Sequence, residues 1–192
     1  MGTYVNNLSL LEITTGDESG TWGTKTNTNL ELIGEAFGYG TRAIANASTD
    51  NITIANGASD ADRSMYLKLT GGGQACTVTL LPATASKVWI MENATSYTLT
   101  FTCGGGANVA ILAGETKIIA TDGGGGSGVV YDVLTDLNLA GTTKVDDLTI
   151  GDDLVVGGDI DLEGAIDVNG TANLDVVDID GAVDMATTAL VT

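Results

Sequence analysis

The chain has 192 residues, with 25 acidic side chains against 7 basic ones, a formal charge of −18, and no histidine. A chain so negative repels phosphate backbones and anionic membrane surfaces, which argues against nucleic acid and membrane partners, and the missing histidine removes the commonest general base and transition-metal ligand. With 27 glycines, one proline and only 5% aromatics, few large side chains are at hand to fill a thick interior, so flat, narrow or elongated architecture is expected.

Residues 1–62 read as a polar, turn-rich segment. Leu30, Ile33 and Phe37 recur at spacings of three and four, which predicts one short helix with these residues on its apolar face. Thr28 followed by Glu31 matches a capping box at its start, and Gly38 and Gly40 stop it. Ile52 and Ile54, between the turn signals Asp50-Asn51 and Asn56-Gly57, predict a short strand.

Over residues 63–122 the pattern changes to alternation: Tyr66 to Leu69, Cys76 to Leu80, Val88 to Met91, Tyr97 to Cys103, Val109 to Leu112 and Thr116 to Ala120. Six short strands at roughly ten-residue spacing, punctuated by Gly71-Gly72-Gly73, Pro82, Asn93-Ala94 and Gly104-Gly105-Gly106, predict a small antiparallel β-sandwich. Trp89 is expected in its core, and the strand positions of Tyr66, Tyr97 and Phe101 lean the same way. Cys76 and Cys103, each in a threonine-alternating run, read as buried free thiols and not as a disulfide framework. The run GGGGSG, Gly123 to Gly128, has nothing to pack and reads as a hinge over residues 123–130.

Residues 131–192 carry fourteen acids against one base, Lys144, and a repeat of about six residues. Apolar pairs recur at Leu148/Ile150, Leu154/Val156, Ile160/Leu162, Ile166/Val168 and Ala172/Leu174, then at Val177/Ile179 and Val183/Met185. Residues two apart share one face of a strand, so each unit offers a two-residue apolar stripe that cannot hold itself together alone. Three identical chains wound about an axis would bury every stripe, which predicts a hexad-repeat β shaft, an intertwined trimeric β-helix or prism. The fold class expected is therefore all-β with a short N-terminal helix, a sandwich, and a shaft. Aspartates such as Asp146, Asp152, Asp161 and Asp167 would line the shaft's solvent face and discourage sheet-to-sheet aggregation.

No catalytic pattern emerges. The glycine-rich segments lack the lysine and serine or threonine of a phosphate loop, and no GxSxG elbow is present. Paired carboxylates hydrolyse glycosides in some proteins, but the acids here sit in a regular repeat without aromatic walls. Asp153, Asp159 and Asp161 offer oxygen ligands for calcium, yet neither EF-hand nor calcium-binding nonapeptide spacing occurs, so a solvated acidic face is the reading kept. No stretch reaches the ~18 apolar residues of a membrane span, and the first residues lack a basic region followed by an apolar run. The expectation is a non-enzyme with no cofactor and no bound metal.

Thr14-Thr15-Gly16-Asp17-Glu18-Ser19-Gly20-Thr21-Trp22-Gly23, followed by Asn27-Thr28-Asn29, resembles a TTGDxSGTWGxxxNTN stretch near the start of many tailed-bacteriophage tail fibre proteins. The resemblance covers roughly residues 11–37, and Tyr66 to Gly71 is similar to the sandwich that often follows. It implies that residues 1–62 attach the fibre to the virion, with Thr15, Gly16, Gly20, Thr21, Trp22, Gly23, Asn27 and Asn29 as the attachment residues. Trp22 would either dock on the partner or pack against the short helix. The implied partners are two further copies of the chain and a tail protein such as an adaptor, nozzle or baseplate protein, the implied location is the tail of a virion assembled in the host cytoplasm, and the implied role is to hold the host-recognition apparatus. The repeats run to Thr192 with no aromatic-rich domain behind them, so receptor recognition is expected from further sequence or another protein. Two other readings share the same residues: a carbohydrate-binding adhesin whose sandwich contacts a host surface glycan, and a head fibre or decoration protein on the capsid.

Overall fold

A computed structural model describes residues 2–135 and, further along, residues 143–146, 148–151, 153–163 and 166–172. The chain divides into two units, Met1–Ala140 and Gly141–Thr192.

The first unit opens with a hairpin, β1 (Thr3–Val5) paired antiparallel with β2 (Leu10–Glu12), and then helix α1 (Trp22–Ala36). The helix begins six residues before the expected capping box. Thr21 Oγ1 donates to the Glu18 carboxylate at 2.7 Å, and Thr28 lies inside the helix, where its hydroxyl donates to the Thr24 carbonyl at 3.1 Å. Gly38 does terminate it, its N–H bonding the Glu35 carbonyl at 2.9 Å. Leu32 and Ala36 are the buried residues of the helix, whereas of the three spaced apolar residues Ile33 is half-buried and Leu30 and Phe37 are 61% and 70% exposed.

From Tyr39 the chain winds. β3 (Tyr39–Ile44), β5 (Tyr66–Gly71) and β7 (Val88–Asn93) lie side by side in one sheet, while β4 (Thr49–Thr53), β6 (Cys76–Leu81) and β8 (Leu99–Thr102) lie side by side in another. Each strand is followed by one in the other sheet, so every return to a sheet runs in the same direction and β3, β5 and β7 are parallel, as are β4, β6 and β8. The six expected strands are all present, but their antiparallel arrangement is corrected by this winding. Antiparallel pairing enters only afterwards, where β9 (Val109–Ile111) folds back on β8, and β10 (Thr116–Thr121) and β11 (Val130–Asp132) extend the first sheet. The result is a five-stranded sheet ordered β11-β10-β7-β5-β3 and a four-stranded sheet ordered β4-β6-β8-β9.

Both sheets contribute to one apolar cluster: Leu67, Leu69, Trp89, Met91 and Ile119 from the first, Ile52, Val78, Leu80, Leu99, Phe101 and Ile111 from the second. Trp89 is buried as expected, and Cys76 and Cys103 are buried free thiols whose pKa is pushed up by burial. Asn93, fully buried, is satisfied on every side. Its Nδ2 donates to the Tyr97 and Ile111 carbonyls at 2.8 and 2.9 Å, and its Oδ1 accepts from the Thr95 N–H and hydroxyl at 3.1 and 2.7 Å.

Two expected boundaries are corrected. Residues 1–62 are not separate from the sheets, because β3 and β4 belong to both. Nor is the glycine run a hinge: Gly125 donates to the Ala83 carbonyl at 3.1 Å, and Gly105 and Gly106 donate to the carbonyls of Gly126 and Gly128 at 2.9 and 3.0 Å. A Cβ on Gly104 would sit 2.5 Å from Gly125 O and Gly128 N, so glycine permits a close backbone crossing here. Asp122 Oδ1 accepts from the N–H groups of Val129 and Gly124 at 3.0 and 2.9 Å, which lowers the pKa of its carboxyl and ties the run to β10.

In the second unit none of the described residues is in a strand or helix. The expected core residues Leu148, Ile150, Leu154, Val156, Ile160, Leu162, Ile166 and Val168 are between 41% and 70% exposed. Leu174, Val177, Ile179, Val183 and Met185 lie outside the described residues, as does Asp152.

Candidate assembly surfaces

The segment around Trp22 is shaped by its own backbone. Gly16 and Gly20 adopt φ of +92° and +83°, a left-handed conformation that glycine takes without strain, and Glu18 shares it at +56°. This turn launches α1 with Thr21 and Trp22, whose N–H groups both bond the Glu18 carbonyl, at 2.9 and 2.8 Å. Of the eight expected attachment residues, Thr15, Gly16 and Gly20 lie in the loop, and Thr21, Trp22, Gly23, Asn27 and Asn29 lie at the helix start and along its first turns. They do not converge on one pocket. Asn29 has an internal task, since its amide donates to the Leu11 carbonyl at 2.8 Å and accepts from the Leu11 N–H at 3.0 Å, holding β2 against the helix. Trp22 is 64% exposed at the helix start.

A second surface lies on the outer face of the five-stranded sheet. Parallel register sets Tyr39 beside Tyr66 and Tyr66 beside Ile90, and β10 adds Ile118 to the row. The Tyr39 and Tyr66 rings stack with centroids 5.4 Å apart. Phe37, Gly38, Tyr39, Met65, Tyr66 and Ile90 line a shallow groove of about 360 Å³. Beside it, Glu92 accepts from Lys68 Nζ at 2.6 Å and from the Tyr66 hydroxyl at 2.9 Å. These bonds lower the Glu92 pKa and raise those of Lys68 and Tyr66. Tyr66 therefore faces outward although it lies in a strand. Its alternation with buried Leu67 and Leu69 carries that signal, and the expectation that it leans toward the core is corrected.

No family model, curated protein or solved structure matches the chain.

Charged groups under the first unit act structurally. Arg42 bridges Asp62 at 2.9 Å and Asp50 at 3.1 Å. Burial raises the pKa of Asp62 despite the Thr53 N–H and Arg42 beside it. At Asp50 burial is outweighed by bonds from the Ala45 and Asn51 N–H groups and by Arg42, and its pKa falls. Among the described residues no group of three or more carboxylates or thiols is placed to hold a metal ion, and no helix is long and apolar enough to cross a membrane. Asp153, Asp159 and Asp161 are exposed.

Proposed function

We propose that this chain is a structural fibre protein that works as a homotrimer, the attachment and shaft part of a tailed-phage tail fibre, with residues 131–192 winding together with two other copies into a β shaft. Its two sheets form a sandwich with parallel winding, the N-terminal segment attaches to a tail protein, and the assembled trimer holds the host-recognition apparatus. The reading rests on the TTGDESGTWG stretch at Thr14–Gly23 and on one observation above all. Eight regularly spaced apolar side chains from Leu148 to Val168 stay at least 41% exposed when the chain is alone. Burying each in an assembly is worth about 1.5–3 kcal/mol at full burial, far more than a lone strand of this length retains. Light scattering during size-exclusion chromatography tests it: a mass of three 19.4 kDa chains is expected, and a compact single chain overturns the reading.

A second reading has its own observation. Exposed Tyr39 stacked on half-buried Tyr66, beside Lys68 and Glu92, combines aromatic faces with hydrogen-bonding groups, which is the chemistry a host surface glycan needs. Binding of the chain to a glycan array, lost in Tyr39→Ala, favours this adhesin role; an array without signal removes it.

A further inference from the structure

Helix α1 has two apolar stripes and the body covers one. Leu32 and Ala36, four apart, are buried. At roughly 100° per residue, Trp22, Thr26, Leu30, Ile33 and Phe37 fall on a separate stripe about a quarter-turn or more away. Trp22, Leu30 and Phe37 on it are 64%, 61% and 70% exposed. The charged residues of the helix, Lys25, Glu31 and Glu35, all stand off this stripe.

Three observations say what covers it. Leu30, Ile33 and Phe37 follow one another at spacings of three and four, the a-d-a order with which identical helices interlock along a seam. The chain carries a net charge of −18, so two copies repel unless they meet where acids are absent, and this stripe is such a place. Phe37 then continues the stripe into the groove lined by Tyr39, Met65, Tyr66 and Ile90, so the apolar surface does not end with a helix of 15 residues.

We infer that the Trp22, Leu30, Ile33 and Phe37 stripe is a seam along which copies of this chain pack, helix against helix about a shared axis. The inference rests on the homotrimer reading and adds a second point of assembly to it, at the opposite end of the sequence from the repeats. A cyclic arrangement brings the same residues of each copy together and leaves no copy of the stripe open.

Cross-linking of the full chain tests it. Cys76 and Cys103 are 3% and 1% exposed and stay shielded, so Ile33→Cys places one reactive thiol on the seam and Thr24→Cys places one on the far side of the helix. With a short bis-maleimide, Ile33→Cys is expected to give covalent dimers, since one thiol per chain joins two chains at most, and Thr24→Cys only single chains. Leu30→Asp with Phe37→Asp, both at exposed positions where folding is retained and is checked by circular dichroism, is expected to raise the concentration needed for assembly by roughly tenfold or more. If the wild-type chain has the mass of three copies but Ile33→Cys does not cross-link and the double aspartate variant assembles unchanged, the seam is overturned and the homotrimer reading stands. A wild-type mass of one chain overturns both.

Discussion

The guanidinium of Arg63, fully buried, donates through Nη1 to the backbone carbonyl of Leu8, 55 residues earlier in the chain. Nη2 reaches the carbonyls of Ala55 and Ala58 at 2.6 and 3.0 Å and the Asp60 carboxylate at 3.1 Å, while the Glu35 carboxylate lies 3.9 Å from Nε. One cation thus joins the N-terminal hairpin, the helix and the loop that leads into β5.

Arg63→Met removes all of these donors at once and leaves Asp60 beside unmet carbonyls in a buried site. A loss of about 3–5 kcal/mol is expected, together with faster tryptic cleavage after Lys25 as the hairpin and helix come away. Thermal unfolding and proteolysis rates equal to those of the wild type would show that the clip is not structural.

Lys87 sits 4.5 Å over the Trp89 ring, and burial lowers its pKa to about 8 from 10.5, with Arg63 adding to the effect. Below about pH 8 the lysine is charged in both folded and unfolded chains, and its burial penalty is present in full. Between about 8 and 10.5 the folded chain releases the proton first, so the penalty is shed and stability rises with pH. Lys87→Met is therefore expected to be more stable than the wild type at pH 7, by up to about 3 kcal/mol, with the gap closing toward pH 10. Urea unfolding of both chains across that range measures it, and a gap that does not change with pH contradicts the assignment.

Arg42 is the shared cation of Asp50 and Asp62. Arg42→Ala is expected to cost about 2–4 kcal/mol at pH 7, because Asp62 is left charged in a site where only 8% of its side chain is exposed. Burial already raises the Asp62 pKa, and loss of Arg42 raises it further. Acid then neutralises the stranded carboxylate, so the difference from wild type shrinks as pH falls from 7 toward 4. A difference that is constant or grows over that interval excludes this account.

Gly104 and Gly126 separate a built turn from a free linker. A Cβ on Gly104 meets backbone at 2.5 Å, while one on Gly126 meets nothing within 4 Å. Gly104→Ala is expected to destabilise by about 2 kcal/mol or more, and Gly126→Ala to fall within about 0.5 kcal/mol of the wild type. Equal, negligible effects at both sites would restore the hinge.

Strand existence was largely readable because one face of each strand meets water, which leaves clean alternation in Tyr66-Leu67-Lys68-Leu69 and Cys76-Thr77-Val78-Thr79-Leu80. Direction was not readable. Alternation reports the two faces of a strand and is silent about its neighbours, and no local signal marks a chain that changes sheet after every strand. No apolar alternation marks β3 in the sequence, because Gly40 and Arg42 occupy its inward register, beside Leu67 and Leu69, in place of apolar residues. Gly40 is required there, since a Cβ would lie 2.6 Å from the Ala61 carbonyl and the Ser64 hydroxyl. The spacing of Leu30, Ile33 and Phe37 marks a helix, but spacing alone does not tell which of two apolar stripes the body covers. The glycine run misleads because composition describes freedom in the unfolded chain, whereas the bonds that Gly125 donates to Ala83 and that Gly105 and Gly106 donate to Gly126 and Gly128 are made only after distant strands are in place.

The parallel winding has a consequence for synthesis. Tyr39 pairs with Tyr66, Tyr66 with Ile90, Thr49 with Thr77 and Cys76 with Leu99, so each turn rests on a neighbour made only 23 to 28 residues earlier. A layer that leaves the ribosome therefore needs only the layer before it as a template, across a closure of 23 to 28 residues and not the whole chain. The Leu8 carbonyl, by contrast, waits for Arg63 to emerge, so the amino terminus is fastened only after the first course is down.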